Sequence, residues 1–277
     1  MLPFYSSHGI VKCSVCGLVF FDDIAMPEEL YTESYFTGGE YLDYVADKAI
    51  IQRNFRRHLP ALLRLAPHGD LFELGSAYGF FLDLARRHWT VRGVEIAPAA
   101  ARHAREALGL DVRCADFLDL PDEPGRYDLA CMWDTIEHLT HPVRTLEKLS
   151  RWLRPGGHLI VTTGDIGSWM ARVRKSRWRL IHPPTHLYYF SSGTLRRAAT
   201  SAGLTVRRLS HVGYSRSSRA MLHGMLMLGQ PTHPGLYRLL TLGGAINIPV
   251  YLNFFDIMMM VAQKPVAGDG APRTAVA

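Results

Sequence analysis

Residues 70–82 read DLFELGSAYGFFL, and the fold turns on them. A short apolar run over 71–74 carries Glu73 and breaks at Gly75. Gly79 follows, and a helical apolar pattern begins after it. Glycine directly behind a strand lets the backbone approach a ligand closely. A dinucleotide fingerprint would need G-x-G-x-x-G, with a helix N-terminus facing a pyrophosphate. Here Ala77 stands at the second glycine position and Gly79 comes one residue early. Glu73 adds a carboxylate beside the place of a pyrophosphate, where like charges repel. A ligand with a cationic end removes that conflict.

Outward from this turn, short apolar runs alternate with amphipathic helices. Strands are expected at 71–74, 91–96, 112–115, 128–133 and 158–163, and helices near 78–88, 98–108 and 142–152. Such alternation is the sequence form of an α/β protein with a parallel sheet covered on both faces. Right-handed crossovers make it a Rossmann-like core over 67–212. A helix over 192–203 precedes two strands, 204–212 and 256–265, expected to pair antiparallel at the sheet edge. The stretch between them, 213–255, is too long for a hairpin loop. It is rich in Met, Leu and Gly and is expected to be a helical lid. Met221, Leu222, Met225, Leu226 and Met227 give it a soft apolar surface. That surface suits a lipidic or aromatic substrate, a dimer contact, or peripheral contact with a membrane. Residues 45–66 read as a helix covering the cofactor, 1–44 as an N-terminal segment with a CxxC knuckle, and 266–277 as a disordered tail.

Of the 277 residues, 48% are hydrophobic and 20% charged, which fits a packed globule and excludes general disorder. No run approaches ~20 uninterrupted apolar residues, which argues against a spanning helix. MLPFYSSHG lacks the layout of a signal peptide. Four cysteines are too few for a disulfide framework in so long a chain, so a reducing cytoplasm is the default. The net charge of +6 permits an acidic partner without demanding one. One basic run, Arg172, Arg174, Lys175, Arg177 and Arg179, lies beside Trp169 and Trp178. A solvated basic face or a phosphate-bearing small substrate is the stronger reading of it and nucleic-acid binding the weaker. Cys13-x-x-Cys16 resembles half a zinc ribbon. His8 would bring the ligands to three, short of the four of a closed site, so a knuckle without metal is expected.

With ELGSAYG, GVEIAP, CADFLDLP, YDLACMWDTIEHL, LRPGGHLIVTTGD and HPPTHLYYFSSGTL in order, the chain resembles the class I S-adenosylmethionine-dependent methyltransferases. It is most similar to the group around the ubiquinone-biosynthesis O-methyltransferases. The resemblance spans roughly 10–210 plus the last strand. It implies that Glu73, Gly75, Ala77 and Gly79 form the cofactor loop, with Ala77 replacing the family's middle glycine. It implies that Glu95 accepts the ribose hydroxyls, an ionised acceptor being the stronger kind. Asp116 and Phe117 fall where the family binds adenine, Asp116 at the exocyclic amine and Phe117 over or beside the ring. Ile96 and Trp133 are expected to line the same site.

Methyl transfer from a sulfonium needs an in-line acceptor and, for a hydroxyl, a way to remove a proton. The candidates at the carboxyl ends of the fourth and fifth strands are His186, His138 and Asp134. A lone histidine has a structural reading as well. Tyr188, Tyr189 and Phe190 read as core packing before acceptor wall. Asp134, Glu137 and His138 are spaced i, i+3, i+4. The resemblance implies a divalent metal there. The competing reading is a capping box from Asp134 to Glu137, and it is favoured. Trp133-Asp134-Thr135-Ile136 lacks the Pro-Pro run of amino-directed relatives, and Cys131 reads as core. The expected function is O-methylation of a small-molecule or sugar- or lipid-linked acceptor. A non-catalytic scaffold, oligomerising through the lid, and an RNA methyltransferase are the alternatives.

Overall fold

The computed structural model describes residues 1–23, 44–226, 232–241 and 248–266. In chain order the elements open with β1 (Leu2–Tyr5), β2 (Ile10–Lys12), β3 (Val19–Phe21) and α1 (Lys48–Leu65). The core follows as β4 (Asp70–Leu74), α2 (Phe80–Ala85), β5 (Thr90–Glu95), α3 (Pro98–Glu106), β6 (Val112–Cys114), β7 (Tyr127–Trp133), α4 (Pro142–Trp152) and β8 (Leu153–Gly164). Beyond it lie α5 (Trp169–Arg174), β9 (Tyr188–Tyr189), α6 (Ser192–Ser201) and β10 (Thr205–His211). The chain continues through β11 (Tyr214–Ser217), α7 (Ser218–Leu226), α8 (Pro234–Thr241), β12 (Pro249–Leu252) and β13 (Ile257–Gln263).

The central sheet has seven strands in the order β10-β13-β8-β7-β4-β5-β6. The five from β8 to β6 are parallel, and β13 runs antiparallel to both β8 and β10. The order reverses between β4 and β7, the switch point where open α/β sheets hold ligands. Successive strand residues point to opposite faces. Thus Phe72 joins Tyr127, Trp152 and Phe190 in one core layer, and its neighbour Leu71 joins Phe81, Leu82 and Ile160 in the other. Both faces are apolar because both are covered by helices. Pro98 and Pro142 open α3 and α4 at a position where no N–H is missed. Ser191 and Thr194 form a reciprocal capping box at the start of α6.

Three features differ from the sequence reading. First, the N-terminal segment is joined to the stretch after α5 by a strand pairing that the sequence reading did not include. β3 pairs with β9, Val19 opposite Tyr189, so β1, β2, β3 and β9 form a second antiparallel sheet. Tyr189 and Phe190 are buried and Tyr188 half-buried, which makes the aromatic trio packing. Second, the described part of 213–255 is not wholly helical. β11 and β12 pair antiparallel and frame α7 and α8. Asn54 in α1 clamps β11 through both its amide atoms, accepting from Ser215 N–H at 2.6 Å and donating to Ser215 O at 3.0 Å. Met227 and the tail from 267 onward lie outside the described residues. Third, the turn at Ile136–His138 is capped by Thr135 with no side-chain bond, so the Asp134–Glu137 capping box does not form. Asp134 instead takes a left-handed φ of 47° and donates its N–H to Thr162 Oγ1 at 2.9 Å.

Candidate active site

A cavity of about 960 Å³ opens over the carboxyl ends of β4, β5, β7 and β8. At its β4–β5 end, Gly75 N–H and Ser76 N–H both donate to Val94 O. This fastens the loop after β4 onto β5. Gly75 has φ 74°, and a Cβ there would meet Thr135 at 2.6 Å, so glycine is required twice over. Ala77 occupies the left-handed region at φ 47°. A Cβ in that conformation costs about 1–2 kcal/mol, which a glycine would avoid.

Glu95 is buried at the end of β5. Its Oε2 accepts from Ala77 N–H at 2.7 Å and its Oε1 from Ala97 N–H at 2.9 Å. One side chain therefore shapes both loops. Each oxygen keeps a second lone pair, which fits a pair of ribose hydroxyls. Burial raises the Glu95 carboxyl above its ordinary value, and the backbone N–H donors oppose that shift. Glu73 is buried more deeply, and its Oε2 has no partner among the described residues. Burial, and then the charge of Glu95, hold its carboxyl well above the ordinary range. A buried, unpaired carboxylate is costly. An ammonium or sulfonium in the cavity would stabilise its charged form, so the donor set fits S-adenosylmethionine.

Ile96, Asp116 and Phe117 all lie along the cavity wall after β5 and β6. Phe117 packs its ring between Phe72 and Trp152, at centroid distances of 5.6 and 4.9 Å. Its ring is buried in the core layer under β4, and Phe117 lines the cavity as well. Asp116 spends one oxygen accepting from Leu118 N–H at 2.7 Å, capping the following turn. It stays exposed at the cavity wall, as does Ile96. Trp133 lies against Phe55 and Phe81 and stacks on His58 at 5.4 Å. Gly79 is needed for packing, since a Cβ would meet Leu110 and Ala104. Cys131 is fully buried, and burial pushes its thiol up, which leaves no nucleophile there.

At the β7–β8 end, Glu137, His138 and His186 converge. Their offered ligand atoms lie within 4.8 Å of one another. His138 Nδ1 lies 2.7 Å from Thr185 O, and His186 Nδ1 lies 3.0 Å from Leu180 O. A carbonyl only accepts, so each Nδ1 carries the proton and each Nε2 presents a lone pair. The rings meet edge to face at 4.7 Å. Burial first, and then His182 and Arg179, lower His186 to about 4, so it is neutral at physiological pH. Asp134 is not one of this trio; His186, from the loop after α5, stands in the third place. Sequence spacing could not show this, because the partner is far along the chain. Spacing could have found His58 and Asn54, which recur at i, i+4 on an otherwise apolar face of α1 and line the cavity. At Cys13–Cys16, Cys16 N–H points to Cys13 Sγ at 3.4 Å, and backbone donors lower Cys13 to about 7. Among the described residues no third ligand joins them.

A fold of this topology, with this loop and these carboxylates, defines an S-adenosylmethionine-dependent methyltransferase. Residues 46–209 match the family described as the methyltransferase domain, and the chain belongs to that family. It is 31% identical over 182 residues to a bifunctional biotin biosynthesis protein of Bordetella avium, covering 61% of this chain and 37% of that one. It is 26% identical over 162 residues to a ubiquinone biosynthesis O-methyltransferase of Chromobacterium violaceum, covering 54% and 70%. Among solved structures, a methyltransferase in complex with the Haloferax volcanii Trm112 activator superposes with a TM-score of 0.56 at 19% identity, over 79% of this chain and 94% of that one. A Thermotoga maritima S-adenosylmethionine-dependent methyltransferase gives 0.52 at 22% identity, over 80% and 94%. At such identities these structures speak for the fold alone. Among the described residues no helix is long and apolar enough to cross a membrane.

Proposed function

We propose that this enzyme moves the methyl group of S-adenosylmethionine onto a hydroxyl oxygen of a small-molecule or sugar- or lipid-linked acceptor. The observation that carries the reading is the Glu137, His138 and His186 trio facing the cavity beyond β7 and β8. In such a transfer the oxygen bonds to the methyl carbon as the carbon–sulfur bond breaks. The sulfonium becomes a neutral thioether, and the hydroxyl proton must leave. Nε2 of His138 is the base in this reading, with the buried Glu137 carboxylate favouring the imidazolium. His186, held near 4, is a weak base and serves to position. Two imidazole nitrogens and a carboxylate also suit Zn²⁺, Mn²⁺ or Fe²⁺. Glu137, His138 and His186 would hold such an ion, which when bound would lower the pKa of the acceptor hydroxyl. An O-methyltransferase among the relatives supports oxygen as the acceptor atom.

The test is S-adenosylhomocysteine formation across phenol, sugar-hydroxyl and amine acceptors, repeated after exhaustive chelation and metal add-back. Product from hydroxyl acceptors alone is expected. Turnover confined to amines, or none with any acceptor while the cofactor binds tightly, would refute the reading. Activity that survives chelation assigns the proton to His138 without a cation.

A further inference from the structure

Charge is distributed unevenly along this chain. Between Asp165 and Asp256 stand 12 arginines and lysines and no aspartate or glutamate, against +6 for the whole chain. Much of this basic segment gathers on one side of the molecule. Asp165 N–H donates to Asp256 O at 2.8 Å, which brings the lead-in to α5 against the loop after β12. Arg179 donates to Asp256 Oδ1 at 3.1 Å and lies over the Tyr214 ring, with Arg216 on the same ring. Tyr214 pairs opposite Leu252 in β12. On this rim Trp169 is 71% and Phe255 64% exposed, Val173, Tyr251 and Ile248 are exposed as well, and so is Leu239 in α8 of the adjoining insertion. Arg172, Arg174, Lys175 and Arg177 stand among them, exposed and without an ion-pair partner among the described residues. Tyr214 and Arg216 also line the cavity, so the rim borders its mouth.

We infer that this rim is a docking surface for an anionic lipid bilayer. Exposed bulky apolar side chains interleaved with cations are the chemistry of an interfacial membrane contact. Val173, Ile248 and Leu239 gain nothing from stacking on nucleobases, whereas an acyl boundary removes them from water. A second copy of the chain, facing the first across a two-fold axis, would set the four cations against themselves. Bilayer docking of this kind would hold the cavity mouth at the lipid surface, whichever acceptor is methylated.

The full-length protein, without cofactor or acceptor, is sedimented with phosphatidylglycerol–phosphatidylcholine vesicles and with phosphatidylcholine vesicles. Sedimentation with the first only is expected. Arg172→Gln with Arg174→Gln should weaken it by about 25-fold, roughly fivefold per charge. Trp169→Ala with Phe255→Ser should weaken it at least about tenfold. What binding remains should vanish near ~0.5 M NaCl, where surface charge is screened. Both pairs are exposed, and unchanged melting temperatures will show that the fold survives. No sedimentation with anionic vesicles, or equal binding by the parent and both variants, overturns the proposal. So does single-stranded RNA that strips the protein from vesicles at equal phosphate concentration. A dimer that Trp169→Ala dissociates would overturn it too, by making the rim a self-interface.

Discussion

At the ends of β4 and β5 the functional side chains sit on the sheet itself, whereas beyond β7 and β8 they are held by loops. Glu73 and Glu95 are strand residues fixed by the ladder, Glu95 also by the N–H groups of Ala77 and Ala97. His138 and His186 depend on the carbonyls of Thr185 and Leu180, which lie in an irregular stretch after α5. The first arrangement is preformed and tolerates one kind of ligand. The second can vary with its loops, which is how one scaffold is adapted to different acceptors. The two ends should therefore fail separately when damaged.

The largest effect expected is at the loop-built end. His138→Ala should lower turnover by roughly 10²–10⁴-fold, the range of a lost general acid–base. Its cofactor dissociation constant should stay within about twofold by calorimetry. A parallel loss of cofactor affinity would break the division between the ends. Next comes Glu95→Ala, which removes hydrogen bonds to an ionised group worth about 1.5–3 kcal/mol each. Cofactor affinity should fall about a hundredfold or more, and the melting temperature should fall too, because Ala77 and Ala97 lose their acceptor. Unchanged cofactor affinity in calorimetry would sink the ribose assignment.

A smaller effect concerns pH. The folded-state carboxyl of Glu73 lies well above its ordinary value of 4.5, so the folded protein keeps a proton that the unfolded chain gives up. Its stabilising contribution is complete below about 4.5 and is lost as pH rises through the folded value. Thermal melts of the cofactor-free protein from about pH 5 to about pH 8 should fall more steeply for the parent than for Glu73→Gln. Saturating S-adenosylmethionine should flatten the parent's decline. Identical slopes would mean that Glu73 does not carry the cost assigned to it. The smallest effect is at Ala77. Ala77→Gly should raise stability by about 0.5–1 kcal/mol through relief of its left-handed backbone, read as a higher denaturant midpoint with an unchanged slope.

The same division explains what the sequence made legible. β4, β5, β7 and β8 read as short apolar runs because both faces of each are buried. The carboxylates on them were visible because a charge at the end of such a run has no packing role. Phe117 was legible as a residue beside the cavity but not as a core aromatic, since an aromatic next to a ligand and an aromatic under the sheet look alike in one dimension. Its partners Phe72 and Trp152 come from other elements. The pairing of Val19 with Tyr189, and of His138 with His186, joins residues far apart along the chain. No local period encodes such meetings. Asp134 and Glu137 had the spacing of a capping box, but the left-handed φ at Asp134 moved the cap to Thr135. The insertion was legible as apolar and long. Its β11–β12 frame was not, because TyrSerArgSer and ProValTyrLeu carry little strand signal alone.

The wedge position of β13 sets the order in which this protein can be made. β8 is complete at Gly164, yet its outer edge is covered only by β13, and β10 can join the sheet only through β13. On the ribosome the nascent chain would therefore carry an open edge, apolar at Leu159, Ile160 and Val161, while residues 166–255 are still being added. An uncovered edge of that kind is a template for pairing with another chain. The stretch synthesised during that interval is the one without a single acidic residue, and its accumulating positive charge would repel a neighbouring copy at the same stage. Slowing translation after β10 should thus be tolerated better by the parent chain than by a variant in which those arginines are neutralised.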